Sequence, residues 1–168
     1  ANLLVDNCDF TNNRRPDGGD VRSPLNIVGC DGAVVQNSRF RSNNVFNGGG
    51  GLQFRGSDLT SGTDTCLVQN CTFDDCRSLN SNSAVWVHGL QSAAHVDFRS
   101  CVFSNNESGF FIYGGSATAS IQDCLWCSTN SNYIGGTPTD LGGNTTLSSC
   151  PPFGACCVSE CGISVACT

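Results

Sequence analysis

A nine-residue phrase occurs five times in this chain of 168 residues, and it limits the possible folds more than any other feature. It runs from an aliphatic or aromatic residue through Asn or a substitute, then Cys or Ser, to Phe or Trp. The copies begin at Val5, Val35, Val68, Phe98 and Ile121 and end at Asn13, Asn43, Cys76, Asn106 and Thr129. The fourth column of the phrase, Cys8, Ser38, Cys71, Cys101 and Cys124, advances by 30, 33, 30 and 23 residues. Periods of roughly 20–50 residues mark solenoids, in which one structural unit buries its apolar face against the next. Function in such a chain resides in columns of stacked residues.

A second phrase, apolar-x-apolar-x-Gly, falls between the copies: Leu25/Ile27/Gly29, Leu52/Phe54/Gly56, Val85/Val87/Gly89 and Phe110/Ile112/Gly114. Period-two alternation is the mark of a strand with one buried face. The nine-residue phrase breaks that alternation, because Val68, Asn70, Cys71 and Phe73 cannot all face inward along one straight strand. A bend at Asn70 resolves the conflict, since Asn tolerates the left-handed backbone such a bend needs. The column Asn7, Asn37, Asn70, Ser100 and Asp123 therefore reads as an inward corner between two short strands. Each rung then holds three strands: the Gly-ended strand, a strand ending at the Val column, and Cys-x-Phe.

These columns, with a Gly-ended strand in every rung, resemble the right-handed parallel β-helix repeat proteins of the pectin-lyase-like superfamily over residues 1 to 149. The resemblance implies an all-β fold of about five three-strand rungs, followed by a disulfide-bonded tail over residues 150 to 168. The stretch from Trp126 to Pro152 resembles the closing segment of large secreted bacterial β-helix proteins. The run from Phe153 to Thr168 resembles a small Cys-rich module. The superfamily spans lyases, hydrolases, adhesins, tailspikes and structural solenoids, so the likeness speaks to fold and not to activity.

Rungs about 4.8 Å apart would align Phe10, Phe40, Phe73, Phe103 and Trp126 into one interior aromatic stack. The Cys column beside it reads as buried thiols acting as small hydrophobes, because parallel Cβ vectors are poorly placed for disulfides. Nine further Cys remain. Cys156, Cys157, Cys161 and Cys167 pair among themselves in the tail, Cys127 pairs with Cys150 to tie the closing segment to the last rung, and Cys30 pairs with Cys66. Cys76 is left over in a turn column otherwise held by Asn13, Asn43 and Asn106, either free or bonded to another chain.

Thirteen Cys in one short chain point to an oxidising, extracellular setting. The net charge is −6, and all eight basic residues are Arg. Nucleic acid is therefore an unsuitable partner, since phosphate binding needs a concentrated basic face. No apolar run reaches membrane-spanning length. The chain starts at Ala1 with neither Met nor a signal segment, which reads as a processed product. With ladder residues from Val5 onward, no capping helix is expected at that end.

In enzymes of the superfamily, the resemblance implies catalytic acids or calcium-binding carboxylates on the outer face of the Gly-ended strand. Here the outward columns are Asn26, Gln53, Trp86, Phe111 and Val28, Arg55, His88, Tyr113, without Asp or Glu. A glycosidase needs two carboxylates about one bond, and a calcium-assisted lyase needs clustered oxygen ligands with a base. Asp74 and Asp75 read as a solvated acidic turn. His88 and His95 are the only histidines, too few for a zinc or Cys-His site. Gly48 to Gly51 lack the Lys and Ser/Thr of a phosphate loop and read as a flexible turn. No catalytic residue, metal or cofactor is assigned.

The outer aromatics Trp86, His88, Phe111 and Tyr113 form a strip that could hold sugar rings, contact a partner or lie beneath the C-terminal segment, where Tyr133, Ile134 and Phe153 need packing partners. Three sequons occur. Asn70 lies at the inward corner, whereas Asn106 and Asn144 fall in turns and are the glycosylation candidates. The sequence thus reads as a non-enzymatic extracellular structural module, self-associating head-to-tail into a glycosylated filament. The alternatives are a glycan-binding or polysaccharide-degrading fragment of a larger secreted β-helix protein, and an adhesin module.

Overall fold

A computed structural model describes residues 3–14, 23–57, 62–79, 81 and 83–150. The chain coils through successive courses of short strands. The first course holds β1 (Leu4–Asp6) and β2 (Asp9–Thr11). The second holds β3 (Leu25–Val28), β4 (Ala33–Gln36), β5 (Arg39–Arg41) and β6 (Asn44–Val45). The third holds β7 (Leu52–Arg55), β8 (Thr63–Gln69), β9 (Thr72–Asp74) and β10 (Arg77–Ser78). The fourth holds β11 (Ser83–His88), β12 (Ala93–Arg99) and β13 (Val102–Ser104). The fifth holds β14 (Ser108–Tyr113), β15 (Ala117–Gln122) and β16 (Leu125–Cys127). A sixth, formed by the closing segment, holds β17 (Ser131–Ile134), β18 (Thr139–Asp140) and β19 (Thr145–Leu147).

Each strand pairs in parallel with its equivalents in neighbouring courses. Three sheets run in the orders β3-β7-β11-β14-β17, β1-β4-β8-β12-β15-β18 and β2-β5-β9-β13-β16-β19, with β6 and β10 as a short fourth pair. The expected three strands per rung are therefore present. The count of about five rungs is one short on two faces, because the closing segment lacks the nine-residue phrase and still adds a course.

Alternation decides what is buried. Ile27, Phe54, Val87 and Ile112 face inward from the Gly-ended strands, and Val35, Val68, Phe98 and Ile121 from the second sheet. Phe10, Phe40, Phe73, Phe103 and Trp126 stack with centroid spacings of 4.8, 4.7, 5.2 and 5.5 Å and nearly parallel planes. Phe98 stacks on Phe110 at 4.9 Å and so ties the second sheet to the first across the interior.

The corner column has the left-handed backbone expected of it, with φ of 52, 51, 52, 50 and 52° at Asn7, Asn37, Asn70, Ser100 and Asp123. Its side chains point outward: Asn70 is exposed and donates to Asn37 Oδ1 at 3.4 Å, so the corner is not inward. A second left-handed corner recurs five residues later at Asn12, Ser42, Asp75, Asn105 and Ser128, with φ of 56, 50, 48, 55 and 48°. Short polar side chains are the L-residues that visit this region at least cost.

The column after that second corner supplies a hydrogen-bond ladder. Asn43 and Asn106 donate from Nδ2 to the carbonyls of Phe10 and Phe73 one course back, at 2.7 and 2.8 Å. Cys76 Sγ does the same to Phe40 O at 3.3 Å, and Thr129 Oγ1 to Phe103 O at 3.2 Å. Gly48 to Gly51 are not a flexible turn. Gly50 and Gly51 donate their N–H groups to Ser83 O and Ala84 O at 2.8 and 2.7 Å. A Cβ at Gly49 would run into the Leu52 carbonyl and the Trp86 nitrogen, and one at Gly50 into the Arg77 nitrogen.

Candidate functional site

The outer face of the sheet β3-β7-β11-β14-β17 gathers the aromatic strip. Trp86 and His88 stand two residues apart on β11 and therefore share its outer face, with Phe111 and Tyr113 beside them in register on β14. Trp86 stacks on His88 at 5.4 Å and on Phe111 at 6.0 Å, while Tyr113 meets Trp86 at 5.9 Å and His88 at 4.9 Å edge-on. Ile134 continues the Trp86 and Phe111 column on β17. Tyr113 is 50% exposed, and the other three rings are half-buried.

Gln53 aligns with Trp86 on the preceding strand, and Arg55 aligns with His88. Gln53 is only 4% exposed although it faces outward, because the loop through Gly48 folds over it together with Ser23. Gln53 Oε1, Ser23 Oγ and Trp86 Nε1 are all buried and lack a hydrogen-bond partner. The patch thus joins an aromatic floor to a small group of open polar atoms. Tyr133 does not cover it: its ring stacks at 5.8 Å on Phe110, inside the coil. Phe153 lies outside the described residues.

The sequence matches the family model for the right handed beta helix region over residues 1–150. The chain is a right-handed β-helix protein. Searches of curated proteins and of solved structures return no match.

A β-helix places its cysteines by course. Cys127 is bonded to Cys150, as the sequence suggests, with Cα atoms 4.8 Å apart. Cys30 and Cys66 are not bonded to each other. The register explains the difference: Cys66 pairs with Ala33, three residues beyond Cys30, which leaves Cys30 in the turn before β4. Cys76 is free and wholly buried, so it is not available to a second chain. Cys71, Cys101 and Cys124 are also free and buried, whereas Cys8 is exposed. Burial pushes the thiols of Cys66 and Cys76 up to about 12 and that of Cys71 to about 11. Cys156, Cys157, Cys161 and Cys167 lie outside the described residues.

The carboxylates that the sequence passes over serve the β-helix itself. Asp74 is nearly buried and not a solvated turn: its Oδ1 accepts from Ser104 Oγ at 2.8 Å and Asn105 Nδ2 at 2.7 Å, and its Oδ2 lies 3.5 Å from Arg41 Nε. Asp75 pairs with Arg77 at 2.9 Å. Asp64 accepts the Ser57 N–H at 2.8 Å and the Ser92 hydroxyl at 2.5 Å, which fastens the loop before β8.

On the second sheet, Asp97 accepts from Ser120 and lies 3.1 Å from His95 Nε2, whose Nδ1 is 2.8 Å from Thr118 Oγ1. Partial burial alone would raise the Asp97 carboxyl, but hydrogen bonds from Ser120 and His95 and the charges of His95 and Arg99 hold it below the usual carboxylate range. Register makes this cluster: His95 pairs with Thr118 and Asp97 with Ser120 on adjacent strands, an alignment invisible until the spacing between courses is known.

Asn106 is not an open turn residue. It is 2% exposed, its Oδ1 accepts the Cys76 N–H at 2.9 Å and its Nδ2 donates to Phe73 O, so a glycan there would break the ladder. Asn144 is half-buried and accepts the Cys124 N–H at 2.9 Å while donating to Asp140 at 2.7 Å.

Proposed function

We propose that this β-helix is a non-enzymatic extracellular structural module that is extended at its β1-β2 end by another copy stacked head-to-tail. The observation that carries this reading is the unequal burial of equivalent residues at that end. Val5 and Phe10 are half-buried, whereas their register partners Val35 and Phe40, one course in, are wholly buried. Among the described residues Phe10 stacks on one side only, and β1 and β2 end their sheets. Proteins normally cover such strand edges, and repeat proteins cap them. A heterologous contact between copies propagates into a filament when its rotation does not close a ring.

The non-enzymatic half is supported by the use of carboxylates as fasteners. Asp64, Asp74 and Asp97 are each committed to hydrogen bonds that hold one course to the next, with Ser92, Ser104 and Ser120 as the donors. Sedimentation velocity over a concentration series, with negative-stain microscopy, tests the assembly. The native chain should show concentration-dependent growth that Val5→Asp abolishes. A monodisperse monomer at high concentration would overturn the reading.

A further inference from the structure

We propose that the joint between stacked copies forms on two sheets only, with β1 of one copy docked on β18 of the copy before it and β2 on β19, so that the closing end of one chain covers Cys8 of the next. This rests on the head-to-tail reading and adds to it the receiving surface and the register of contact. β1 and β18 end one six-stranded sheet, and β2 and β19 end the other. The Gly-ended sheet has five strands, so joining the two longer sheets leaves β3 and β17 separated by the width of a strand and outside the joint.

The Cys column shows what the first course lacks. Each interior thiol faces two carbonyls, one two residues back in the chain and one in the Val column of the preceding course. Cys71 Sγ lies 3.3 Å from Gln69 O and 3.6 Å from Val35 O, and Cys101 Sγ 3.4 Å from Arg99 O and 3.3 Å from Val68 O. Cys124 Sγ repeats the pattern with Gln122 O at 3.3 Å and Phe98 O at 3.6 Å. Cys8 keeps only the first contact, to Asp6 O at 3.3 Å, and is exposed where the other three are buried. Register supplies the missing carbonyl. Val5, Val35, Val68, Phe98, Ile121 and Asp140 are paired successively, so the step beyond Asp140 is Val5 of another copy. Asp140 O then stands to that copy's Cys8 as Phe98 O stands to Cys124.

The outer rim of the same joint gives an independent observation. Thr139 closes the column that begins at Leu4, and Leu141 falls at the level of Gln122, in the column that begins at Asp6. Docking in this register sets Thr139 beside Leu4 and Leu141 beside Asp6, with Leu4 and Leu141 as diagonal neighbours on one outer face. Leu4 is 60% and Leu141 53% exposed, and they are two of the five large apolar side chains exposed among the described residues. The joint shields both from water. The receiving edge is also left clear by the disulfide. The Cα of Cys150 lies 4.8 Å from that of Cys127 although Leu147 already holds the register position beside Cys127, so the chain turns back alongside β16 there and does not run along the open edge of β19.

The test follows Cys8 and one pair of exposed side chains in the full chain, with sedimentation velocity reading assembly. Thiol labelling at pH 8, read by mass spectrometry, should modify Cys8 at least about tenfold more slowly in the assembled chain than in the dilute one. Leu141→Asp sets a carboxylate against Asp6 of the next copy and should weaken assembly by about tenfold, and adding Asp6→Arg should restore it. Leu141 and Asp6 are both exposed, so the variants should keep the parent's thermal melt, which circular dichroism checks. Assembly with Cys8 labelled at the dilute rate would overturn this joint while leaving the stacked reading in place. So would assembly indifferent to Leu141→Asp, or a loss that Asp6→Arg does not restore. A native chain that stays monomeric at every concentration would overturn the joint and the stacked reading together.

Discussion

Truncating Phe73 tests the interior stack at its centre. Phe73 is wholly buried, with parallel rings on both sides, Phe40 at 4.7 Å and Phe103 at 5.2 Å. Phe73→Ala removes one buried aromatic and leaves a cavity flanked by backbone held in two parallel ladders, which cannot collapse into it. The cost should lie in the upper part of the roughly 3–5 kcal/mol range for such truncations. Each stacked pair contributes about 0.5–1.5 kcal/mol beyond burial, and Phe73 belongs to two of them. Phe10 belongs to one pair and is half-buried, so Phe10→Ala should cost clearly less. Leu79→Ala, on a largely exposed side chain, should cost under ~0.5 kcal/mol. Urea titrations of the three variants, followed by far-ultraviolet circular dichroism, supply the free energies. Equal small losses for Phe10→Ala and Phe73→Ala would refute the stacking register.

Further expectations concern chemistry along the coil. Because burial raises the Cys66 and Cys76 thiols from 9.0 to about 12, the stability they confer is complete below pH 9 and is lost as pH rises toward 12, by at most about 1.4 kcal/mol per pH unit and thiol; Cys76→Ala should flatten that decline in a denaturant series. Asp97 has the opposite sign, since its depressed carboxyl stabilises the fold above the ordinary value of 3.8 and ceases to do so as pH falls; Ser120→Ala should therefore melt below the parent near neutral pH and converge with it as pH falls below 4. Native thiol labelling at pH 8 should modify Cys8 quickly and Cys66, Cys71, Cys76 and Cys101 only after unfolding, as read by mass spectrometry. Incubation with polygalacturonate or alginate, with and without calcium, should release neither unsaturated products nor reducing ends; turnover abolished by Asp74→Asn would contradict the non-enzymatic reading.

What the sequence disclosed follows from how much each feature depends on alignment between courses. The inward apolar columns and the left-handed corner at Asn7, Asn37 and Asn70 are local properties, so they were legible from residue types alone. The second corner is the column Asn12, Ser42, Asp75, Asn105, Ser128, whose short polar residues are equally those of any ordinary turn, so composition does not single it out. Once that corner is placed, the next column becomes a ladder, and the buried Asn106 and Cys76 cease to be a glycan acceptor and a spare thiol. The sixth course was illegible because β17, β18 and β19 pair through backbone groups while carrying Thr, Asp and Tyr in place of the repeated phrase. The aromatic strip was legible as a strip. Its open polar atoms were not, since the burial of Gln53 depends on a loop whose path the sequence does not reveal.

The most direct test of the stacked β-helix is a distance along its axis. Leu4, Val34, Leu67, Asp97, Ser120 and Thr139 are paired successively across six strands, five steps from end to end. At about 4.8 Å per step, the backbones at positions 4 and 139 stand about 24 Å apart despite the residues between them. Nitroxides introduced at Leu4 and Thr139 through non-natural amino acids, in chains diluted with unlabelled protein, allow pulsed dipolar spectroscopy to read that separation. A single narrow distribution centred near 24 Å, widened only by the label arms, is the predicted result. A broad distribution, or one centred beyond about 35 Å or below about 15 Å, would contradict the stack of six courses on which the account rests.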